Sequence, residues 1–147
     1  MSETRHPKAI LKAWRTAAVA LICMACIPFS AAADPSGAYS VQGTSADGQR
    51  YSGTVSVTRV DEIYRVIWLR NGREIQGIAI GGAFSEGSLT VGPAHSSDLM
   101  LSIGFSDQGR IGNATLFLQR NDTFEGYVAR EGDGKASQEV WTPIPAQ

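Results

Sequence analysis

The residues of this chain that could do chemistry begin with one loop, GPAHSS at 92–97, followed by Asp98. The loop holds His95 beside Ser96 and Ser97, so the residue types of a Ser/His/Asp hydrolase stand together. A nucleophile, its base and the group that orients the base normally come from separate elements, and neighbours in one loop cannot easily orient each other. No G-x-S-x-G nucleophile elbow is present either. We therefore predict a surface histidine and assign no catalytic residue.

Metal chemistry would need several ligands that converge. The acidic pairs Asp61-Glu62 and Glu131/Asp133 are typical of solvated turns, and Glu131–Gly134 lacks the spacing of a calcium loop. Both cysteines, Cys23 and Cys26, lie near the N-terminus in a segment that we expect to be removed, which excludes a cysteine-based zinc site. We predict neither a metal nor a cofactor.

Aromatic side chains are the stronger candidates for a site. Tyr39, Tyr51, Tyr64 and Trp68 fall on the predicted concave faces of strands, where they could line an interior. In one interpretation they fill a packed core, with Gly43, Gly53 and Gly77 making room for the rings. In the other they line a calyx, and the Tyr hydroxyls and the Trp nitrogen orient a small apolar ligand. Large rings opposite glycines favour the packed core.

The element that positions Tyr64 and Trp68 is a predicted hairpin over residues 62–81. Two alternating runs flank Asn71-Gly72, the strongest short hairpin signal, because a type I′ turn needs positive φ at both central residues. The register follows from this turn. It pairs Arg70 with Arg73, Trp68 with Ile75, Val66 with Gly77 and Tyr64 with Ala79.

The opposite face of this hairpin is unexpectedly aliphatic. It carries Ile63, Ile67, Leu69, Ile78 and Ile80 among Arg65, Glu74 and Gln76. An outward face with so much aliphatic surface predicts a binding surface for a protein partner or a second copy of the chain. Two alternatives stay open: the faces are inverted, or the domain is a sandwich that covers both sides.

A second hairpin joins residues 37–44 to residues 50–59. A two-residue Asp-Gly loop would put the apolar residues of the two strands on opposite faces. A three-residue loop, Ala46-Asp47-Gly48, pairs Tyr39 with Val55, and the faces then agree. We therefore predict a type I turn with Gly48 in the left-handed region as a G1 bulge.

The rest of the chain continues as short strands at 8–12-residue spacing, with no helical pattern after Asp34. Gly81-Gly82 is predicted to interrupt one strand, and residues 98–105 are predicted to turn Leu99, Leu101, Ile103 and Phe105 inward. We predict an all-β fold, an antiparallel up-and-down meander of eight or nine strands that closes into a small barrel of lipocalin or avidin type. A two-sheet β-sandwich is the alternative.

The first 33 residues are predicted to be a cleaved signal peptide. A basic start precedes a 14-residue apolar run over 16–29 and the small-residue pattern Ala31-Ala32-Ala33. The run is too short to span a bilayer comfortably, so no integral membrane span is expected after its removal. A single barrel domain over 34–147 should then be exported, to the periplasm or beyond.

Residues 34–147 contain nine Lys and Arg against 13 Asp and Glu, a net charge of −4. Nucleic-acid binding depends on neutralising phosphates, so this balance disfavours nucleic acid as a partner. The exported part has no cysteine, and its stability must therefore come from an ordinary hydrophobic core.

Four motifs together resemble a group of small exported bacterial β-barrel proteins of uncharacterised function. They are GAYSVQGT from Gly37, DGQRYSGTVSV from Asp47, YRVIW from Tyr64 with the later GIAIGG, and EVWTP from Glu139. The similarity is good up to about Val91 and looser over 91–136. The resemblance implies an exported β-barrel and supplies no activity.

Three functions are therefore expected as alternatives. The first is a non-enzymatic exported barrel that binds a small apolar ligand or a protein partner. The second is an inhibitor of an envelope or secreted hydrolase. The third is a calyx enzyme that uses tyrosine or carboxylate chemistry, for which the sequence offers no evident pair of inward carboxylates.

Overall fold

A computed structural model describes residues 34–145, so the predicted signal peptide over 1–33 lies outside the described residues. Within residues 34–145, no helix is long and apolar enough to cross a membrane. These residues form nine strands: β1 Gly37–Thr44, β2 Arg50–Val60, β3 Ile63–Arg70, β4 Arg73–Ser85, β5 Ser88–Gly92, β6 Met100–Asp107, β7 Arg110–Leu118, β8 Phe124–Arg130 and β9 Ser137–Pro143.

Eight of these strands close into an antiparallel barrel. Their order around the wall is β3-β2-β1-β9-β8-β7-β6-β4, and the pairing of β3 with β4 completes the ring. A closed ring leaves the wall without free edges. The predicted barrel is confirmed, and the two-sheet sandwich is wrong.

One strand, β5, lies outside the ring. An up-and-down meander predicts instead that each strand pairs with the next one along the chain. β4 continues without interruption through Gly81-Gly82 to Ser85, and β5 pairs only with this last part of β4. We call residues 81–92 the arm. The next barrel neighbour of β4 is β6, not β5. Gly81 is required there because a Cβ would overlap the carboxylate of Asp98, so the glycine makes room and does not break the strand.

Both predicted hairpins have the expected register. Asn71 and Gly72 adopt φ of 52° and 72°, as a type I′ turn requires, and all four predicted pairs of that hairpin are present. In the first hairpin Tyr39 pairs with Val55, and Gly48 adopts a φ of 87° in the three-residue loop. The left-handed glycine therefore aligns the apolar faces of β1 and β2.

The barrel interior is the hydrophobic core. Trp141 lies at its centre, with ring centroids 5.6 Å from Trp68, 6.0 Å from Tyr39 and 6.5 Å from Phe124. Aromatic pairs at such separations add to the stabilisation that burial provides. Leu101, Ile103 and Leu116 are fully buried around this cluster.

The prediction that Leu99 points inward is wrong. The sequence predicts it inside with Leu101, Ile103 and Phe105, yet it is 36 % exposed, and the strand begins at Met100, two residues after the predicted start. The residue drawn inward at this entry is Asp98, whose carboxylate accepts hydrogen bonds from the Tyr64 hydroxyl and the His95 backbone N–H. These hydrogen bonds stabilise Asp98 in the inward position, so Leu99 points outward although the apolar alternation predicts the reverse.

Candidate functional site

The four aromatic residues predicted to line the interior all point into the barrel, and each polar atom has a partner in the protein. The hydroxyl of Tyr39 donates to the Pro35 carbonyl at 2.7 Å, and that of Tyr64 donates to Asp98 Oδ2 at 2.8 Å. Tyr51 and Trp68 both donate to Glu139, at 2.7 Å and 3.3 Å. These groups are therefore occupied in orienting one another.

Burial changes the acidity of three of these side chains. Burial raises the pKa of Tyr39 to about 12, with a smaller contribution from Asp34. Burial also raises the pKa of Tyr51, as do the charge of Glu139 and the hydrogen bond to it. The pKa of Tyr64 is raised by burial and by Asp98. A phenol with a raised pKa stays protonated at neutral pH, so these hydroxyls act as donors.

The interior at the Trp68 end holds only a small void. A cavity of about 10 Å³ lies among Trp68, Phe105, Arg70, Arg130 and Glu139, which is about the space of one water molecule. Of the three glycines expected to accommodate rings, Gly43 does so, because a Cβ there would overlap the Tyr51 ring. Gly53 and Gly77 approach the backbone carbonyls of Leu69 and Gly104, so their role is close strand contact.

Glu139 is the first functional candidate that the sequence reasoning missed. Its side chain is 2 % exposed and accepts three hydrogen bonds, two at Oε2 from the Trp68 and Trp141 indoles and one at Oε1 from Tyr51. The Trp141 bond is 2.7 Å long. The signal was present in the sequence, because alternation from the inward Trp141 places Glu139 on the same face.

A second missed group lies at the same end of the barrel. Asp107 is 4 % exposed and contacts three guanidinium groups, those of Arg130 at 3.0 Å, Arg73 at 3.2 Å and Arg70 at 3.6 Å. The Arg70 guanidinium also lies 4.6 Å from the centroid of the Tyr51 ring. Alternation from Phe105 predicts that Asp107 points inward, but only barrel closure brings β3, β4, β6 and β8 together around it.

The interior contains buried carboxylates, although no pair of inward carboxylates was identified from the sequence. Asp98, Asp107 and Glu139 are all buried, and each is engaged by donors or cations of the barrel itself. No buried side-chain nitrogen or oxygen among residues 34–145 lacks a hydrogen-bond partner. Such saturated carboxylates stabilise the interior and leave no free group beside the small cavity.

The GPAHSS loop does not assemble a catalytic triad. His95 is exposed, and its Nδ1 lies 2.8 Å from Ser97 Oγ. Asp98 receives the backbone N–H of His95 and not its ring, so no carboxylate orients the imidazole. No group of three or more His, Cys, Asp or Glu side chains that could hold a metal ion occurs within residues 34–145.

The outer face of β3 and β4 carries the predicted aliphatic residues, which we call the outer strip: Ile63, Ile67, Leu69, Ile78 and Ile80. Ile78 is 63 % exposed, whereas Ile67 is half-buried and the other three are exposed. The alternative in which the faces are inverted is wrong, because Tyr64 and Val66 have no exposed surface.

Polar strands border the outer strip on both sides. Ile67 and Leu69 lie opposite Ser56 and Thr54 of β2, and Ile80 lies opposite Ser102 of β6. Towards the arm the strip continues into further exposed apolar side chains, those of Phe84, Leu89 and Val91. Within the strip, Arg65 lies opposite Ile78, Gln76 opposite Ile67 and Glu74 opposite Leu69, so polar side chains stand among the aliphatic ones. Exposed apolar side chains grouped on one face make this face a candidate interaction surface.

The architecture defines this chain as a closed, antiparallel, eight-stranded β-barrel with one strand outside the ring. A redesigned β-barrel is similar to it, with a TM-score of 0.53 and 18 % identity over 78 % of this chain and 96 % of that chain. A de novo designed fluorescence-activating β-barrel covers 74 % of this chain and 93 % of its own, with a TM-score of 0.47 and 19 % identity. No protein-family model and no curated protein sequence matches the chain. The similarity to the redesigned barrel supports the fold alone.

Proposed function

We propose that this chain is an exported, non-enzymatic β-barrel protein that binds an extended segment of another protein along the arm and the outer strip. The observation that carries the proposal is the free edge of β5. Among the nine strands of residues 34–145, β5 alone pairs on one side only. An unpaired edge offers backbone donors and acceptors to an added strand.

The surroundings of this edge suit a peptide that adds a strand. Phe84 and Leu89 are paired across the arm, and both side chains are exposed. Val91 continues the same strand, and β5 contains neither the proline nor the charged residues that commonly protect an edge. Backbone hydrogen bonds would supply affinity, and the apolar side chains of the partner would select these exposed positions.

The interior gives the alternative functions less support. At the Trp68 end, a cavity of about 10 Å³ does not hold a drug-sized ligand, which occupies clefts of about 300–1,000 Å³. The same lack of space beside Glu139 disfavours a calyx enzyme. An inhibitor of a secreted or envelope hydrolase is one form of the proposed function, because it too acts by binding a protein.

Export is supported by the sequence of the first 33 residues, with their basic start, apolar run and small-residue end. The mass of the protein recovered from a cell-envelope or culture fraction tests it. The expected chain begins at Asp34. A chain that keeps its first residues and stays in the cytosol would overturn the export part of the proposal.

Site-specific crosslinking tests the binding surface. The exported chain contains no cysteine, so Thr90→Cys places one reactive thiol on β5. Tyr127→Cys is the matched control, because Tyr127 is 62 % exposed and lies on β8, across the barrel from β3. The proposal expects a protein crosslinked from position 90 and not from position 127.

A binding measurement in solution then distinguishes a specific partner from a protein that was crosslinked nonspecifically. The purified crosslinked protein should bind the unmodified chain, and Ile78→Asp should weaken binding at least about tenfold, since an aspartate in the apolar contact must lose water. Tyr127→Asp should leave binding unchanged. Equal binding by both variants would overturn the proposal, as would a self-dimer that accounts for all crosslinks.

A further inference from the structure

The end of the barrel opposite the arm gathers most of the positive charge of residues 34–145. Six of the nine Lys and Arg side chains after residue 33 lie at strand ends or loops of this end: Arg50, Arg70, Arg73, Arg110, Arg130 and Lys135. The placement follows from the topology, because β2, β4 and β7 begin at this end while β3 and β8 finish there.

Four of these arginines line one cleft. A surface cleft of about 380 Å³ is bordered by Arg50, Arg70, Arg73 and Arg130, together with Ser45 and Asn71. No carboxylate is among its lining residues within 34–145. A neighbouring cleft shares Ser45 and Arg130 with the arginine cleft and is lined in addition by Asp47, Asp133, Arg110 and Lys135.

Carboxylates contact three of the four arginines from below and from the side of the cleft. Asp107 contacts three of the four arginines, and Glu139 lies with Arg70 and Arg130 around the small cavity beneath. Asp133 pairs with Arg110 and Arg130. Arg50 has no ion pair within the described part of the chain. All the charged side chains that line the cleft itself are arginines.

Two of the arginines are held in place before any ligand arrives. Arg70 is 13 % exposed, packs over the Tyr51 ring and contacts Asp107, while Arg130 is 10 % exposed and pairs with Asp107 and Asp133. Preorganised guanidinium forks lose little entropy on binding and match the paired oxygens of an oxyanion. Arg50 and Arg73 are exposed at the rim and can close over a bound group.

We propose that this arginine cleft binds a phosphate group, either as the free ion or as a phosphomonoester on a small molecule. The site is separate from the binding surface on the arm, which lies at the other end of the barrel. Phosphate suits the cleft because it carries between one and two negative charges at neutral pH, nearer two in a phosphomonoester, and offers several acceptor oxygens to the four arginines.

Titration of the purified full-length chain with inorganic phosphate at constant ionic strength tests the site by NMR. Backbone amides of Arg50, Asn71 and Arg73 should shift and saturate. Glycerol 3-phosphate distinguishes the two sources: tighter binding than phosphate indicates a phosphomonoester ligand, and equal or weaker binding indicates the free ion. Chloride at the same ionic strength should give no saturating shift, and an equal response to chloride would overturn the proposal.

Arg50→Gln combined with Arg73→Gln should weaken phosphate binding about a hundredfold, about tenfold for each charge-assisted contact removed. These two arginines are exposed, so the fold should survive, and a thermal unfolding transition confirms it. Arg120→Gln is the control, because it removes one exposed positive charge at the arm end. Unchanged phosphate binding by the folded double variant would refute the site.

Discussion

Substitutions of Glu139 test how its hydrogen bonds stabilise the barrel interior. We compare the expected loss of unfolding free energy for glutamine and for alanine at this position. Glutamine at 139 keeps the shape of the side chain. Its carbonyl oxygen can accept from the Trp68 and Trp141 indoles, as Oε2 does, and its amide can donate to Tyr51 once that hydroxyl rotates. All three contacts survive as neutral hydrogen bonds.

The expected cost of Glu139→Gln is therefore the loss of charge assistance. A hydrogen bond to a charged group contributes about 1.5–3 kcal/mol and a neutral one about 0.5–1.5, so three bonds lose about 3 kcal/mol in total. Relief from burying a charge offsets part of this loss. We expect the free energy of unfolding to fall by about 2 kcal/mol.

Glu139→Ala removes the acceptor altogether. The two buried indole donors are then unpaired at about 1–3 kcal/mol each and the half-buried Tyr51 hydroxyl loses its partner, a cost of at least about 2–6 kcal/mol against a total stability of about 5–15. The alanine variant should be much less stable than the glutamine variant and close to unfolding. The order wild type, glutamine, alanine is the essential prediction.

Urea denaturation followed by tryptophan fluorescence measures this order directly, because Trp68 and Trp141 are the two tryptophans after residue 33 and both donate to Glu139. Glu131→Gln, in an exposed turn, is the control and should change stability by less than about 0.5 kcal/mol. An alanine variant as stable as the glutamine variant would refute the view that Glu139 holds the three donors.

Three further predictions concern the same interior. Asp107→Asn removes the charge shared by Arg70, Arg73 and Arg130 and should cost about 3–5 kcal/mol in urea denaturation; wild-type stability would show that the cluster contributes nothing. Trp68→Ala should cost about 3–5 kcal/mol in thermal unfolding, because its ring packs against buried aromatic neighbours, and an unchanged Tm would contradict a packed core. The raised pKa of Tyr39, about 12 in the folded state against 10.0 as its ordinary value, stabilises the fold fully below pH 10, and this contribution is lost as the pH rises from 10 through 12. Urea midpoints that stay constant over that interval would contradict it.

Local pairing was predictable because its causes are local. Asn71-Gly72 dictates the turn geometry, and period-two alternation then assigns Tyr64 and Trp68 to the interior and Ile78 to the outside. The same reasoning found the left-handed Gly48, because only a three-residue loop brings the apolar faces into agreement. Each inference needs a few consecutive residues and the stereochemistry of a strand.

Long-range partners were not predictable in the same way. Alternation could have placed Asp107 and Glu139 inside, but their ligands come from strands far apart in the chain, such as Arg130 for Asp107 and Tyr51 for Glu139. The inward position of Asp98 instead of Leu99 depends on the hydroxyl of Tyr64, 34 residues away. The alternation of residues within one strand gives no information about side-chain contacts between distant strands.

The sequence by itself determined the strands, their turns, the register of two hairpins and the division between a mostly apolar interior and an aliphatic outer strip, because short-range sterics and the burial of apolar side chains require them. Tertiary structure decided the rest. Pairing of β1 with β9 and of β4 with β6 closed the ring, left β5 with a free edge and brought the strand-end arginines into one cleft. The physical reason is that closure satisfies the backbone hydrogen bonds of every wall strand at once, so the positions of the arm and the charged end depend on the whole barrel and not on any one segment.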